Sequence, residues 1–328
     1  MLGYTAAHRS AAVTERTDRA FVRVYGRDPV RMLQGLISND LARADGTRAV
    51  YAAVLTPKGK MVCDVRVLRR GDELLVETDA TAANALIAHL KKFVPPLFAR
   101  FDDVTPQWSV LGLYGPHARP LLVGVFDASV PQNTMEDDAH LITVDDATLI
   151  AVATSHTVCG GFDLIGVPAA VNVAADRLRA AGAEPLDAAA LDVLRIEAGR
   201  PRWGADMDEN TIPLEAGLRA RAISETKGCY TGQEVIVRIL HRGHVNWLLR
   251  GVLLGAKEPP AAAASLLHPR DYRKIGRITS AARSPVLGQT VALAYVRREV
   301  EPPAEAQLET ATGPRVQIVT LPFQAPLQ

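Results

Sequence analysis

The sequence predicts a mixed α+β body followed by a separate all-β barrel or sandwich. Three observations point to this. The chain has 328 residues, which at roughly 150 residues per domain suggests two or three units. Helical and alternating patterns interleave from Asp28 to Ala198. Beyond Trp247 the texture changes: short apolar runs alternate with turns rich in glycine and proline, as in barrels and sandwiches.

The body reads in order. Asp28-Pro29 starts a helix, with a capping aspartate, proline at the first helical position, and Val30, Leu33, Leu36 and Ile37 at helical spacing. Val50–Leu55 leads to a turn at Thr56-Pro57-Lys58-Gly59. Met61–Leu68 alternates as a half-buried strand, and Glu73–Thr78 is its hairpin partner. Thr81–Phe93 is an amphipathic helix stopped by Pro95-Pro96. Trp108–Tyr114 is a strand, Gly115-Pro116 turns into a short helix through Leu122, and Asp127–Ala139 is a polar loop. Leu141–Val144 pairs with Thr148–Ala153, and helices follow at Pro168–Ala181 and Leu186–Ala198, the second capped by Asp187. From Gly199 to Ile223 the periodicity breaks, and long irregular loops in compact proteins are often functional. In the last part, Trp247–Leu254, Ile275–Thr279, Val291–Val296 and Val316–Leu321 are strands, and Glu258–Ala264 is a loop. The expected boundaries are 1–246 for the body and 247–328 for the barrel.

Composition narrows the function classes. Hydrophobic residues make up 48% of the chain, enough for a sizeable core, and the net charge is +1. That balance does not suggest a general DNA or membrane binder. The three cysteines, Cys63, Cys159 and Cys229, are far apart and odd in number, so neither a disulfide framework nor a metal-ligand spacing is readable. A reducing cytoplasm fits this usage. No apolar run reaches signal-peptide or membrane-span length.

One stretch concentrates chemistry: Lys227-Gly228-Cys229-Tyr230-Thr231-Gly232-Gln233-Glu234. Glycines bracket the cysteine. A helix beginning near Gly232 would put Cys229 just before its positive end, with Lys227 adding a cation, and both would favour thiolate. The competing reading is a small buried hydrophobe in a glycine-rich turn. His241 and His244 flank Arg242-Gly243 at a spacing that fits no metal-ligand pattern, and Arg238, Arg242 and Arg250 form a basic strip that a solvated face explains.

This octapeptide resembles the signature of YgfZ-type folate-binding proteins. Arg195-Ile196-Glu197-Ala198-Gly199 through Asp206, Ile212–Glu215, Leu33–Asp40 and Thr56–Lys60 are similar to segments of the wider family that includes the glycine-cleavage T-protein. Gly276–Ser280, Ala292–Val296 and Leu321-Pro322-Phe323 are similar to its C-terminal barrel. The resemblance implies a body of two intertwined α/β subdomains around a central hole that binds tetrahydrofolate, plus an antiparallel barrel. It implies catalytic roles for Cys229, Lys227 and Asp64. It also implies folate contacts from Glu197 (to the pterin), Asp64, Tyr230, Gln233 and Arg242. For Glu197 the bland alternative is a solvent-facing helix residue, and for Asp64 an outward-facing strand residue.

Two departures stand out. Cys63 takes the place of the first of two adjacent aspartates in T-proteins, leaving Asp64. Ser155–Asp163 lacks the tyrosine and glutamate of the corresponding T-protein element and carries Val158-Cys159-Gly160 instead. Cys159 is read as structural. The second departure favours the YgfZ type. The expected function is therefore a monomeric, tetrahydrofolate-binding accessory protein for assembly or repair of iron–sulfur enzymes, tRNA-methylthiolating enzymes among them. The alternatives are a folate-dependent one-carbon transferase and a scaffold whose folate site has decayed.

Overall fold

Two antiparallel-rich sheets face each other and a closed barrel docks beside them, in a computed structural model that describes residues 1–323. The end of the barrel domain expected to reach residue 328 falls partly outside these residues. The mixed α+β body and the C-terminal barrel are both present.

The first sheet has the order Val50–Leu55, Met61–Arg70, Glu73–Asp79, Arg19–Tyr25, Arg100–Asp103. Its neighbours are antiparallel, and the expected hairpin pairs Arg70 with Glu73. Helices Pro29–Gln34 and Ala83–Phe93 cover one face, where Leu33, Leu86 and Leu90 pack on Val22, Val65 and Val76. The second sheet runs Glu184–Pro185, Ala12–Glu15, Ser109–Tyr114, Gly161–Gly166, Ala147–Thr154, Ala139–Val144. Helices Ala118–Phe126 and Pro168–Ala180 cover its outer face.

The remaining faces meet, and side-chain alternation decides how. Period two puts Arg19 and Phe21 on one face, as it does Asp64, Arg66 and Leu68, and Leu75 and Glu77. On the second sheet it groups Val110 with Gly112 and Tyr114, Val152 with Thr154, and Asp163 with Ile165. At one end, Phe21, Leu68 and Leu75 pack against Val110, Val152 and Ile165. At the other end the same strands carry arginines and carboxylates, and the sheets enclose a charged cavity instead.

The barrel closes in the order Trp247–Gly255, Gln289–Arg297, Lys274–Ser284, Ser265–Leu267, Ala304–Leu308, Arg315–Val319. Closure removes exposed sheet edges. Helix Ala188–Glu197, capped by Asp187 accepting from the Ala190 amide at 2.6 Å, docks against it. Arg195, buried at the joint, donates to Ser280 Oγ at 2.7 Å and pairs with Asp206, which also accepts from Thr279 and Ser280.

Helix Tyr4–Arg9 and strands Ala12–Glu15, Arg100–Asp103 and Glu184–Pro185 are not predicted by the pattern, and other local expectations also differ from the structure. The helix after Asp28 ends at Gln34, and the Asp28 side chain makes no cap bond; Leu36 and Ile37 are buried in the loop that follows. Strands Arg19–Tyr25 and Gly161–Gly166, central to their sheets, are not predicted by the pattern. Asp163 is a cavity-facing charge inside its strand, and Arg19–Tyr25 starts with a cavity-facing charge, Arg19, and carries a further charge, Arg23, inside; these break the apolar pattern a strand otherwise shows. The barrel strands Ser265–Leu267 and Ala304–Leu308 are too short to leave a readable pattern.

The motif loop docks on the first sheet through glycine. Gly232 has φ of +82° and forms the N-cap of helix Gln233–Arg242; a Cβ there would lie 2.5 Å from the Thr56 carbonyl oxygen. A Cβ on Gly228 would meet no atom within 4 Å. Gly232→Ala is therefore expected to cost about 1–3 kcal/mol in urea unfolding, and Gly228→Ala less than about 0.5 kcal/mol. Equal costs for the two would refute this docking.

Candidate functional site

The central cavity is walled by six arginines (16, 19, 66, 200, 202, 221) and six carboxylates (Asp18, Asp64, Glu77, Asp79, Asp137, Asp163). Its enclosed part holds about 80 Å³, inside a wider opening of about 700 Å³ that includes bulk solvent. The smaller volume is room for about three waters.

Most of these charges pair with each other. Arg66 donates to Glu77 Oε2 at 2.7 Å and pairs with Asp163 at 2.9 Å, crossing from one sheet to the other. Glu77 also accepts from Arg19 at 2.6 Å. Asp163 accepts from the Tyr114 hydroxyl at 2.8 Å, and that hydroxyl accepts from Arg16 at 3.0 Å. Arg16 in turn makes two 2.8 Å bonds to Asp18. Gly112 leaves room for this: a Cβ would lie 2.4 Å from the Tyr114 hydroxyl oxygen. Burial by itself would raise the Asp163 carboxyl, but Arg66, Arg16 and the Tyr114 hydroxyl hold it below the usual carboxylate range. Burial pushes His156, on the cavity wall, well below its ordinary value, and Arg16 adds to this.

Asp64 differs from its neighbours. The Tyr51 hydroxyl donates to its Oδ2 at 2.9 Å, while its Oδ1 is buried without a partner. Arg221 lies over the Tyr51 ring at 4.2 Å, and its Nε is likewise buried and unpartnered, although its terminal nitrogen pairs with Glu136 at 2.8 Å. Buried polar atoms are normally satisfied. One free acceptor and one free donor on the same wall suit a ligand that offers both.

The other sequence-derived candidates lie elsewhere. Cys63 is fully buried in the first sheet's core, and burial drives its thiol pKa up. Lys227 Nζ donates to the carbonyls of Gln34, Ile37 and Asn39 at 2.7, 2.7 and 2.8 Å. Burial lowers it to about 8. Its ammonium thus clamps Leu33–Asp40 to the motif loop. Asn39 Nδ2 strengthens the junction by donating to the carbonyls of Tyr51 and Arg221 at 2.8 and 2.9 Å. Tyr230 is buried and donates its amide to Gln233 Oε1 at 3.0 Å, closing the turn before the helix. Cys229 and Arg242 are exposed. The helix does start after Gly232. Of the candidates only Asp64 lines the central cavity. Glu197 is buried, but its carboxylate is engaged by Tyr4 and His8 outside that cavity.

Sequence reasoning missed Arg16, Arg66, Glu77, Tyr114 and Asp163. A readable signal existed: Arg66 within Val65–Leu68 and Asp163 within Phe162–Ile165 are charges inside apolar strand runs, which are seldom buried unless paired.

A body of two facing sheets around a charged cavity, with a docked six-stranded barrel, defines the class. The GCVT N-terminal domain matches residues 3–226, and the glycine cleavage T-protein C-terminal barrel domain matches residues 249–324. The chain belongs to the T-protein family. It is 33% identical to an aminomethyltransferase of Rubrobacter xylanophilus over 92% of this chain and 80% of that protein. It is 28% identical to an aminomethyltransferase of Thermus thermophilus, with 98% and 89% covered. The glycine cleavage system aminomethyltransferase T of Bartonella henselae superposes with a TM-score of 0.85 at 21% identity, covering 98% of this chain and 88% of that one, which supports the fold. Tetrahydrofolate is the cofactor of this family. Among the described residues no helix is long and apolar enough to cross a membrane.

Because Asp163 joins the two sheets, Asp163→Asn should destabilise the protein by about 1–3 kcal/mol at neutral pH, since Arg66 keeps Glu77 but loses the carboxylate from the opposite sheet. A carboxylate held below its unfolded value contributes stability above that value and loses it as pH falls through the folded value. The gap between wild type and variant should therefore shrink below about pH 4. Chemical denaturation at pH 7 and pH 3 measures it, and a gap independent of pH would refute the ion-pair account.

Proposed function

We propose that this protein is a folate-dependent one-carbon transferase of the aminomethyltransferase type, working at the central cavity. The observation that carries this reading is the buried, unpartnered Asp64 Oδ1. Tetrahydrofolate supplies a nitrogen-bound one-carbon unit when present. Asp64 would accept a hydrogen bond or a proton from a ligand N–H at Oδ1, oriented by the Tyr51 hydroxyl on Oδ2. Arg221 Nε would donate to a ligand acceptor. Likeness to aminomethyltransferases over most of the chain supports the transfer reading.

A second reading keeps the accessory role in iron–sulfur enzyme assembly or repair. The exposed Cys229, on a loop pinned by Lys227 and Gly232, favours it, because a fixed, accessible thiol can meet a partner protein. The absence of the T-protein tyrosine and glutamate around Cys159 favours it too. Neither observation calls for Cys229 to reach the cavity.

Calorimetry with tetrahydrofolate on wild type, Asp64→Ala and Tyr51→Phe tests the first reading. Binding by wild type, loss of about tenfold or more in affinity for Asp64→Ala (about 1.4 kcal/mol) and a smaller loss for Tyr51→Phe are expected. No wild-type binding would overturn it. For the second reading, Cys229→Ala should keep folate affinity yet fail to restore iron–sulfur enzyme activity in cells lacking the protein; full restoration would remove the thiol role.

A further inference from the structure

A second set of reactive groups assembles outside the central cavity. The N-terminal helix Tyr4–Arg9 contributes Tyr4 and His8, the last turn of helix Ala188–Glu197 contributes Glu197, and the loop before strand Gly161–Gly166 contributes Cys159. His8 Nδ1 lies 3.7 Å from Cys159 Sγ, and His8 Nε2 lies 3.1 Å from Glu197 Oε2. The Tyr4 hydroxyl donates to the other Glu197 oxygen, and the Tyr4 and His8 rings pack at 4.8 Å. The imidazole is thus fixed on both edges and one face. Glu197 and His8 are largely covered, with side-chain exposures of 4% and 13%, while Cys159 is half-buried and reaches solvent.

We propose that Cys159, His8 and Glu197 form a reactive-thiol site in which Cys159 is the nucleophile and small-molecule disulfides are the substrates. The order thiol, imidazole, carboxylate, through opposite ring nitrogens, is the arrangement that activates a cysteine in Cys-His enzymes. It also excludes a shared metal, because the sulfur and the carboxylate lie on opposite edges of the ring. The charged and titratable groups facing His8 are Cys159 on its own side and Glu197 with Tyr4 on the other. The barrel presents the Val286 amide, 3.4 Å from the Tyr4 hydroxyl, and the Ser284 side chain, which also bonds to that hydroxyl; neither is charged. The one competing acceptor for the thiol is the His8 carbonyl at 3.9 Å. Burial disfavours the imidazolium, but the bonds to Cys159 and Glu197 and their charges raise His8 to about 9. An imidazolium beside the sulfur stabilises the thiolate.

The substrate class follows from what the site offers. Carbonyl chemistry at a thiol needs donors for an oxyanion, and the Gly160 amide next in sequence is committed to the Thr157 carbonyl at 3.0 Å. Attack on a disulfide needs only a thiolate and an acid for the leaving group. The Cys159 thiolate forms a bond to one sulfur of the disulfide. The original S–S bond breaks, and its electron pair departs with the other sulfur, which takes a proton from His8 Nδ1. Cys159 is oxidised to a mixed disulfide and one thiol is released, reduced. Glu197 acts as a positioning residue. Cys229 makes an internal control, being exposed beside an ammonium already committed to three carbonyls.

The test is reaction of the full chain with 2-hydroxyethyl disulfide between pH 5.5 and 9, with adducts at Cys159 and Cys229 quantified by peptide mass spectrometry in the same molecules. At pH 6.5 Cys159 should react at least about tenfold faster than Cys229, since an ordinary thiol near 8.5 is mostly protonated there. Its rate should change less steeply with pH than the Cys229 rate across this range. His8→Asn and Glu197→Gln should move the Cys159 profile towards that of Cys229 and leave the Cys229 rate unchanged. Equal wild-type rates and pH profiles for the two cysteines would overturn the proposal whether or not the variants fold. So would a Cys159 profile unmoved in a folded His8→Asn protein.

Discussion

The ion pairs that Arg66 makes with Glu77 and Asp163 set the terms for the rest of the body. Arg66 rises from one sheet, Asp163 from the other, and neither has solvent to fall back on. Buried charges are tolerated only when paired and fully hydrogen-bonded. Each member therefore recruits another: Glu77 takes Arg19, Asp163 takes the Tyr114 hydroxyl, and Tyr114 takes Arg16. The spacing of the two sheets is fixed at that end by polar contacts and at the other by the apolar packing of Phe21, Leu75 and Ile165.

This division explains how a cavity survives between two sheets that would otherwise close. Apolar faces collapse to crystal-like density. A ring of matched charges resists collapse because each group has a directional partner. Within that ring the unmatched atoms are few, and Asp64 Oδ1 and Arg221 Nε belong to residues that line the cavity. A site prepared this way loses little by admitting a polar ligand, since the costly desolvation has already occurred on folding. The same logic accounts for Glu197: at the end of its helix it is closed off by Tyr4 and His8, which join the N-terminal helix to the barrel side of the molecule and draw Cys159 into contact.

Docking of the three motif segments on one another has a simple physical basis. Leu33–Asp40, Thr56–Lys60 and Lys227–Glu234 are remote in sequence, and all three are largely loops whose backbone groups need partners. Lys227 supplies three donors to the carbonyls of Gln34, Ile37 and Asn39, and the Thr231 backbone N–H donates a hydrogen bond to the Gly35 carbonyl at 2.9 Å. Gly232 permits the close approach to Thr56. A lysine that reads as an activator of its neighbouring cysteine is thus a structural clamp, and Cys229 is left exposed.

The sequence by itself determined the class of fold, because local signals carry it: the strand alternation of Met61–Leu68, the Asp187 cap, the stop at Pro95-Pro96 and the change of texture at Trp247 all depend on near neighbours. The motif loop stood out by its own composition, while Asp64 was singled out through the family resemblance and lies on the cavity wall. The sequence did not reveal strands Arg19–Tyr25 and Gly161–Gly166, since their inward charges look like surface until the partners from the opposite sheet are known. Nor could it rank the thiols. Cys229 stands out by its neighbours in sequence, whereas Cys159 acquires His8 from a helix 151 positions earlier and Glu197 from another element. Only the tertiary structure decided which charges meet and which are left unpartnered, because pairing between remote strands is a property of distance in space, and spacing along the chain does not encode it.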